Sequence, residues 1–558
     1  MPMAWSTRVN ANYFTMKSFL LYLMAGLCFL DIALQKNKKM SIPSGLWKWL
    51  VIFFIGLHIL YSLVFNFPTG FFFLPKFLSL VALILFLIHI SLNLDAVIKK
   101  YEWVVLSFFV LLFFLTSRDL LTRINAGFSF ASLNIVHPFG NVNMLAEFYI
   151  LLVPLTYYWL IQKSDIHKIF KIIIFALIHV VVFVTKSRSA YLGLGLWWTL
   201  WLYEYYFYRY LKAFLAIGLI VIVSLVTFFY KSDSYLSQIK SGSTAERMNF
   251  YRSAIDLIKG RPLGVGSQYA NQIVPYRLQY PVGPYETEYP DQPHSEVLKW
   301  GVEFGWLGLA VSLFCLGYVS WLTATGGSFL LKGSYLVIVP QLLFQFPFEN
   351  PATILLLSIY LYLFAKSLPQ QTINWNKPFK VISLILGVGL IYYSVVFMTS
   401  VYFESNYPDS LEKTTQACWW NPAYFRGCVR KNYNLLQARQ YGELKKSLKD
   451  EMRSNYYGAD YLKILSEAVS EGNLEPDLVM QDEGLTSIAV YGSVKNQSRT
   501  IKKTCQILHV YVFIYKAQTY YSDEDIKACH DVAAPFDLNL KPAAFDREYK
   551  NWLTTILK

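Results

Sequence analysis

The stretch PDQPHSEVLKWGVEFGWLGL, Pro290–Leu309, ends the longest polar interval of the chain and opens an apolar run. His294 sits at the seam, behind Pro293 and ahead of a helix-like segment. An outer loop turning into a membrane-crossing helix reads this way, and an ionisable imidazole at its mouth is the first candidate for chemistry.

Working outward, the 558 residues are 55% hydrophobic and only 15% charged, where a soluble domain carries about 25% charged residues. The apolar excess lies in runs of about 20 residues, each able to cross a bilayer core as a helix. About twelve runs qualify by hydropathy, centred on 18–34, 46–65, 71–92, 103–116, 143–161, 169–185, 189–207, 212–230, 296–322, 330–348, 351–366 and 380–400. The expected fold is an all-α polytopic membrane protein (residues 1–400), with a long loop at 231–295 and a soluble, mainly helical domain at 401–558. The first apolar run is followed by Lys36, Lys38 and Lys39, a stop-transfer pattern rather than a cleaved leader.

The net charge of +14 would point to nucleic acid in a soluble protein. Here basic residues flank the spans, where they set topology and meet membrane lipid, so no nucleic-acid partner is expected. Lys99, Lys100, Lys163, Lys168, Arg209, Lys212 and Lys377 join the three lysines above in the loops after odd-numbered spans. The positive-inside rule makes those loops cytoplasmic. Parity then puts the 231–295 interval and the tail outside. The tail holds Cys418, Cys428, Cys505 and Cys529, possible disulfide partners with three pairings open. Disulfides there agree with an outer location.

Within the interval, Ser243-Thr-Ala-Glu246 is a capping-box pattern, and Met248, Tyr251, Ile255 and Ile258 follow at helical spacing. This reads as a short amphipathic helix on the membrane surface, broken by Gly260, Pro262, Gly264 and Gly266. In the tail, Asn421-Pro-Ala-Tyr and Asn455-Tyr-Tyr-Gly stand 34 residues apart, each before a helix-like stretch (425–439 and 459–471), a spacing like that of tetratricopeptide repeats.

Three basic groups mark the outer side. Arg188, in TKSRSAYLGLGLWW, is followed by Ser189, Ala190, Gly193 and Gly195, small residues that let helices approach. The plain alternative is a snorkelling arginine. Arg247 falls in the first turn of the expected loop helix, where the dipole disfavours a cation, so an anion partner is expected; Arg252 is a weaker candidate of the same kind. His294, near a helix N-terminus, is expected to be neutral and able to accept a proton. Asn143 reads as the cap of the fifth span. Glu147 and Glu303 lie inside spans, where carboxylates default to paired or functional roles, such as orienting His294 or pairing with an arginine. The chain shows no metal-ligand spacing, P-loop, dinucleotide fingerprint or nucleophile elbow, so no metal or cofactor is expected. Two arginines and a histidine at a membrane surface suit a glycan on a lipid diphosphate. Such a leaving group needs forked cationic donors, and a hydroxyl acceptor needs a base.

The motifs SRSAYLGLGLWW, ERMNFYRSAIDLIKGRPLGVG and QPHSEVLKWGVEFGWLGL, in this order and preceded by FGNVNMLAEF, resemble the O-antigen ligase family of bacterial inner-membrane glycosyltransferases. That family includes lipid A-core ligases, O-antigen polymerases and protein O-oligosaccharyltransferases. The resemblance covers about residues 100–365. It implies His294 as base or acceptor activator, Arg188 and Arg247 on the diphosphate, and no metal. It also implies an undecaprenyl-diphosphate glycan donor used on the periplasmic side of the bacterial cytoplasmic membrane. Glu303 and Gly305 match a family pattern without a clear role. Ser295 departs from the asparagine often found there, and the loop is rich in Tyr and Pro; both leave the acceptor open between lipid, glycan and protein hydroxyls. The main rival is a transporter or flippase for the lipid-linked glycan. Against it, the halves show no pairing, and the candidate residues gather at one face. A scaffold anchored by so many spans is a third, weaker reading.

Overall fold

The structure, a computed structural model, describes residues 13–35, 39–64, 74–125, 138–139, 141–161, 166–207, 235–266, 293–374, 376–421 and 425–452. The expected eighth span at 212–230, most of the Tyr- and Pro-rich loop, the second repeat-like stretch at 459–471, Cys505 and Cys529 lie outside them.

The described residues are mostly helical. The helices are α1 (Tyr13–Leu34), α2 (Leu46–Val64), α3 (Leu74–His89), α4 (Leu94–Lys100), α5 (Glu102–Asn125), α6 (Val142–Ile161), α7 (Lys168–Thr185), α8 (Arg188–Leu202), α9 (Tyr235–Gly260), α10 (Glu296–Gly326), α11 (Phe329–Phe344), α12 (Pro351–Ser367) and α13 (Lys377–Asn406). Three further helices follow: α14 (Leu411–Trp420), α15 (Phe425–Gln437) and α16 (Tyr441–Met452). Among the described residues six helices are long and apolar enough to cross a membrane: α1, α5, α6, α7, α10 and α13. A seventh span is counted if α3 and α4, bent by 89° at a short break, are taken together. The break falls where Asn93 caps α4, its side chain accepting from the amides of Asp95 and Ala96. Parts or all of α2, α11 and α12 are apolar but shorter.

Helix α6 lies at the centre. Leu145 to Pro154 is buried without interruption, as expected of a helix apolar on every side. Helices α7, α8, α11 and α12 surround it. The small residues of α8 divide in use. A Cβ on Gly193 would lie 3.4 Å from the Val337 carbonyl of α11, while Gly195 faces open space. Apolar side chains left exposed on α5, α7 and α13, among them Phe114, Phe183 and Ile385, form the surface a bilayer would cover.

One short strand pair accompanies the helices of the expected all-α membrane fold. Strands β1 (Lys39–Pro43) and β2 (Gln370–Asn374) pair antiparallel, in register from Lys39↔Asn374 to Pro43↔Gln370. They tie the loop after the first expected span to the loop after the eleventh. On that same face the Tyr362 hydroxyl and Lys366 Nζ donate to the Leu92 carbonyl, Trp159 Nε1 donates to Glu102 at 2.7 Å, and Lys332 pairs with Glu204 at 2.9 Å. Each of these contacts joins segments that adjoin the end of an expected span. At the opposite face the buried Lys17 donates to the Pro138 carbonyl at 2.6 Å, and Asn350 Nδ2 donates to the Met144 carbonyl. Beyond α13, a Cys418–Cys428 disulfide closes the connection from α14 to α15. Asn434 Nδ2 ties α15 back to the Pro408 carbonyl and to Thr414.

Candidate functional site

His294 sits two residues before α10, with a left-handed backbone (φ 49). Ser295, not His294, is the helix cap, its hydroxyl accepting from the Leu298 amide. The imidazole lies between two aromatic rings. Phe250 of α9 stacks on it at 5.6 Å with planes 14° apart, and Phe346 leans on it at 5.4 Å. The Tyr251 hydroxyl donates to the His294 carbonyl. Nδ1 is buried with no hydrogen-bond partner among the described residues. Burial first, and then the positive charge of Arg247, hold the imidazole down to about 4. Desolvation and a neighbouring cation, rather than a helix dipole, thus favour the neutral ring at pH 7.

Arg247 lies inside α9, not at its start. That helix begins at Tyr235 and runs through Ser243–Glu246, so the capping-box pattern does not mark an N-terminus and the dipole argument for Arg247 does not apply. The buried stripe also differs from the expected one. Met248 and Ile255 are exposed, whereas Phe250, Ala254, Leu257 and Ile258 are buried. This stripe packs on Val302 and Leu298 of α10, so α9 is held by protein along that face. Arg252 is exposed on the helix.

The two motifs carrying Arg247 and His294 are clasped together after α9. Gly305 interrupts α10 with φ 68 and ψ −155, a conformation essentially restricted to glycine. The break frees the Trp306 amide to donate to the Pro262 carbonyl at 3.0 Å, while the Val265 amide donates to the Val302 carbonyl at 3.0 Å. A Cβ on Gly305 would lie 1.9 Å from the Pro262 oxygen, and one on Gly264 (φ +80) 2.4 Å from the Glu303 oxygen. The Tyr61 hydroxyl of α2 donates to the Leu263 carbonyl in the same clasp. The glycines of GRPLGVG and EFGWLG thus meet one another, a use that spacing alone does not reveal.

Arg188 opens α8 behind Ser187 and lies in the field of Arg247. Around it Ser187 and Ser189 are buried, and Ser189 Oγ donates to Gln341 Oε1 at 3.1 Å. Glu147, fully buried in α6, is within electrostatic reach of Arg247 and Glu296. Neither of its oxygens has a hydrogen bond of ordinary geometry among the described residues; the Phe346 amide approaches it more weakly. Asn141, not Asn143, caps α6, its Oδ1 accepting from the Asn143 amide at 2.8 Å. Arg188 of α8, His294 and Glu147 of α6 each lie within electrostatic reach of Arg247 of α9.

Glu303 belongs to a second, adjoining cluster. Its electrostatic partners are Lys299, Glu349, Glu296 and Lys76, not His294. Burial alone would push the Glu349 carboxyl up, but Lys299 and Lys76, both ion-paired to it, hold it well below the usual carboxylate range. Glu296 Oε1 accepts from the Phe348 amide at 3.1 Å. These groups line one wall of a mostly apolar cavity of about 1140 Å³, whose lining includes Asn421 and also Met40, Ile42 and Ile373 of the strand pair. Among the described residues no cluster of His, Cys, Asp and Glu could hold a metal ion.

Sequence reasoning missed the ring clamp and the lysine–glutamate cluster. Phe250, Ala254, Leu257 and Ile258 follow helical spacing as well as the expected stripe does, so the signal for Phe250 is present but ambiguous. Glu349 has a weaker signal, a carboxylate in the short polar break between two apolar runs.

Residues 173–313 match the family model described as O-antigen ligase. The matched stretch holds Arg188, Arg247, His294 and Gly305, and it supports assigning the chain to the O-antigen ligase family. No curated protein matches the chain, and no solved structure does.

Proposed function

We propose that this chain, assigned by that match to the O-antigen ligase family, is a membrane glycosyltransferase that moves a glycan from undecaprenyl diphosphate to a hydroxyl acceptor. The observation that carries the reading is that the Arg188 guanidinium and the His294 imidazole both lie in the electrostatic field of Arg247. Two cations in each other's field favour an anion beside them. A lipid diphosphate supplies that anion, and forked guanidinium donors suit its oxygens.

In the proposed step the acceptor hydroxyl oxygen attacks the anomeric carbon of the glycan. The bond from that carbon to the diphosphate oxygen breaks, and Arg188 and Arg247 stabilise the charge on the departing undecaprenyl diphosphate. His294 takes the hydroxyl proton. The clamp of Phe250 and Phe346 keeps the imidazole dry and neutral, ready to accept it. A bound diphosphate offsets the field of Arg247, so the imidazole becomes a stronger base once the donor is in place. On this reading the site faces the periplasm, which fits the basic-residue asymmetry and the Cys418–Cys428 bridge beyond α13. Acceptors of the lipid A-core, polysaccharide and protein Ser/Thr classes all suit this chemistry.

A second reading, translocation of the lipid-linked glycan, draws on the apolar cavity lined by residues of both faces. Reconstitution in vesicles with a labelled undecaprenyl-diphosphate glycan and a panel of acceptors separates the two. The transferase reading expects a new covalent glycan product, lost in His294→Ala and reduced about 100-fold or more in Arg247→Ala. Unchanged product formation in both variants removes the proposed site. Movement of labelled lipid with no covalent product supports translocation instead.

A further inference from the structure

The turn between α11 and α12, Gln345–Asn350, touches several parts of the site's scaffold. Phe346 forms one side of the His294 clamp. The Phe348 amide donates to Glu296 in the first turn of α10, and the Phe348 ring stacks on Trp300 at 6.1 Å. Thr353 and Asn350 tie the turn to its own helix and to the start of α6 through the Pro347 and Met144 carbonyls. Glu349 carries the remaining ties. Its two carboxylate oxygens are shared between Lys76 of α3 and Lys299 of α10, with side-chain exposures of 15%, 28% and 12% for Glu349, Lys76 and Lys299. A carboxylate engaged on both oxygens by cations from two different helices is fixed in orientation as well as position.

We infer that Glu349 is a positioning residue: by bridging Lys76 and Lys299 it holds the Gln345–Asn350 turn so that Phe346 closes one side of the His294 imidazole. This rests on the proposed role of His294 as base. Glu349 itself touches no reacting atom. Its effect runs through the backbone of the turn to Phe346, whose carbonyl accepts from the Glu349 amide at 2.9 Å. Outer groups that hold a catalytic side chain in place act in this way, and losing one lets the ring move and admits water.

The test compares wild type with Glu349→Gln, Glu349→Asp, Lys299→Gln and His294→Ala in the full chain. The probe is a labelled undecaprenyl-diphosphate glycan with an acceptor active for wild type. Glu349→Gln is expected to lower kcat about ten-fold or more while the donor KM stays within about two-fold. It should also raise the acid midpoint of kcat/KM, because water then reaches the imidazole. Glu349→Asp should recover most of the rate. If Glu349→Gln does not fold, Lys299→Gln, which leaves the Lys76 bridge, is read by the same criteria. Wild-type kcat and pH midpoint in Glu349→Gln, with His294→Ala inactive, overturn the positioning role alone. A lower yield of folded protein with no change in midpoint and no recovery by Asp overturns it too, by making Glu349 merely structural. A fully active His294→Ala removes the proposed base, and this inference with it.

Discussion

At the scale of single residues, the state of His294 is set by what surrounds its ring. Burial between Phe250 and Phe346, and then the charge of Arg247, disfavour the imidazolium, which brings the group down to about 4. The sign follows directly. Above the ordinary histidine range both folded and unfolded chains hold a neutral ring, so this group adds no pH dependence. As pH falls below about 6.5 the unfolded chain takes up a proton that the native site refuses. Stability from this group is therefore lost as pH falls toward about 4. The same state governs activity. The acid limb of kcat/KM, which reports the free enzyme, is expected near pH 4 rather than 6.5, and Arg247→Gln should move it upward. A pH–rate series on both proteins checks this; a wild-type limb near 6.5 contradicts the buried, cation-flanked ring.

At the scale of elements, the contact that brings the arginine to the histidine is the glycine clasp between the end of α9 and the break in α10. Gly305→Ala forces a side chain into a backbone conformation reserved for glycine and onto the Pro262 carbonyl, 1.9 Å from where the Cβ would stand. A cost of roughly 2–4 kcal/mol is expected from strain and overpacking together. Gly195→Ala, facing open space, is the matched control and should be tolerated. Thermal unfolding of the two variants in detergent reads the difference, and equal stability would show that the clasp does not hold these helices together. This contact also shows why the sequence is only partly legible. Apolar runs reveal helices because burial and lipid both demand them, so α1, α5, α6, α7, α10 and α13 fall where hydropathy puts spans. Gly264 reads only as a breaker and Gly305 only as part of a family pattern without a clear role, since nothing local says that one turn will seat in another helix's break. The start of α9 escapes the sequence for a related reason: a capping box is a local signal, and a helix can run through it. The β1–β2 pair joins segments more than 300 residues apart, beyond the reach of any periodicity.

At the scale of the whole molecule, contacts among loops sort the described residues into two faces. Ser44 on Pro369, Tyr362 on Leu92 and Glu204 on Lys332 mark one face. Lys17 on Pro138, Asn350 on Met144 and the Glu349 cluster mark the other, with the candidate site. Arg188, Arg247 and His294 are legible as candidates because they stand on the expected outer side, where the positive-inside rule does not call for cations. What the sequence does not convey is their company: the two phenylalanines, the buried Glu147 and the lysine–glutamate wall come from segments far apart in the chain. The account's central claim is that the two arginines and the histidine form one diphosphate site. The most direct measurement is a structure of the full chain in lipid nanodiscs with undecaprenyl diphosphate bound. The account predicts diphosphate density contacting Arg188 and Arg247 beside the His294 ring. Density seated instead against Lys76 and Lys299, with the arginines unengaged, would contradict it.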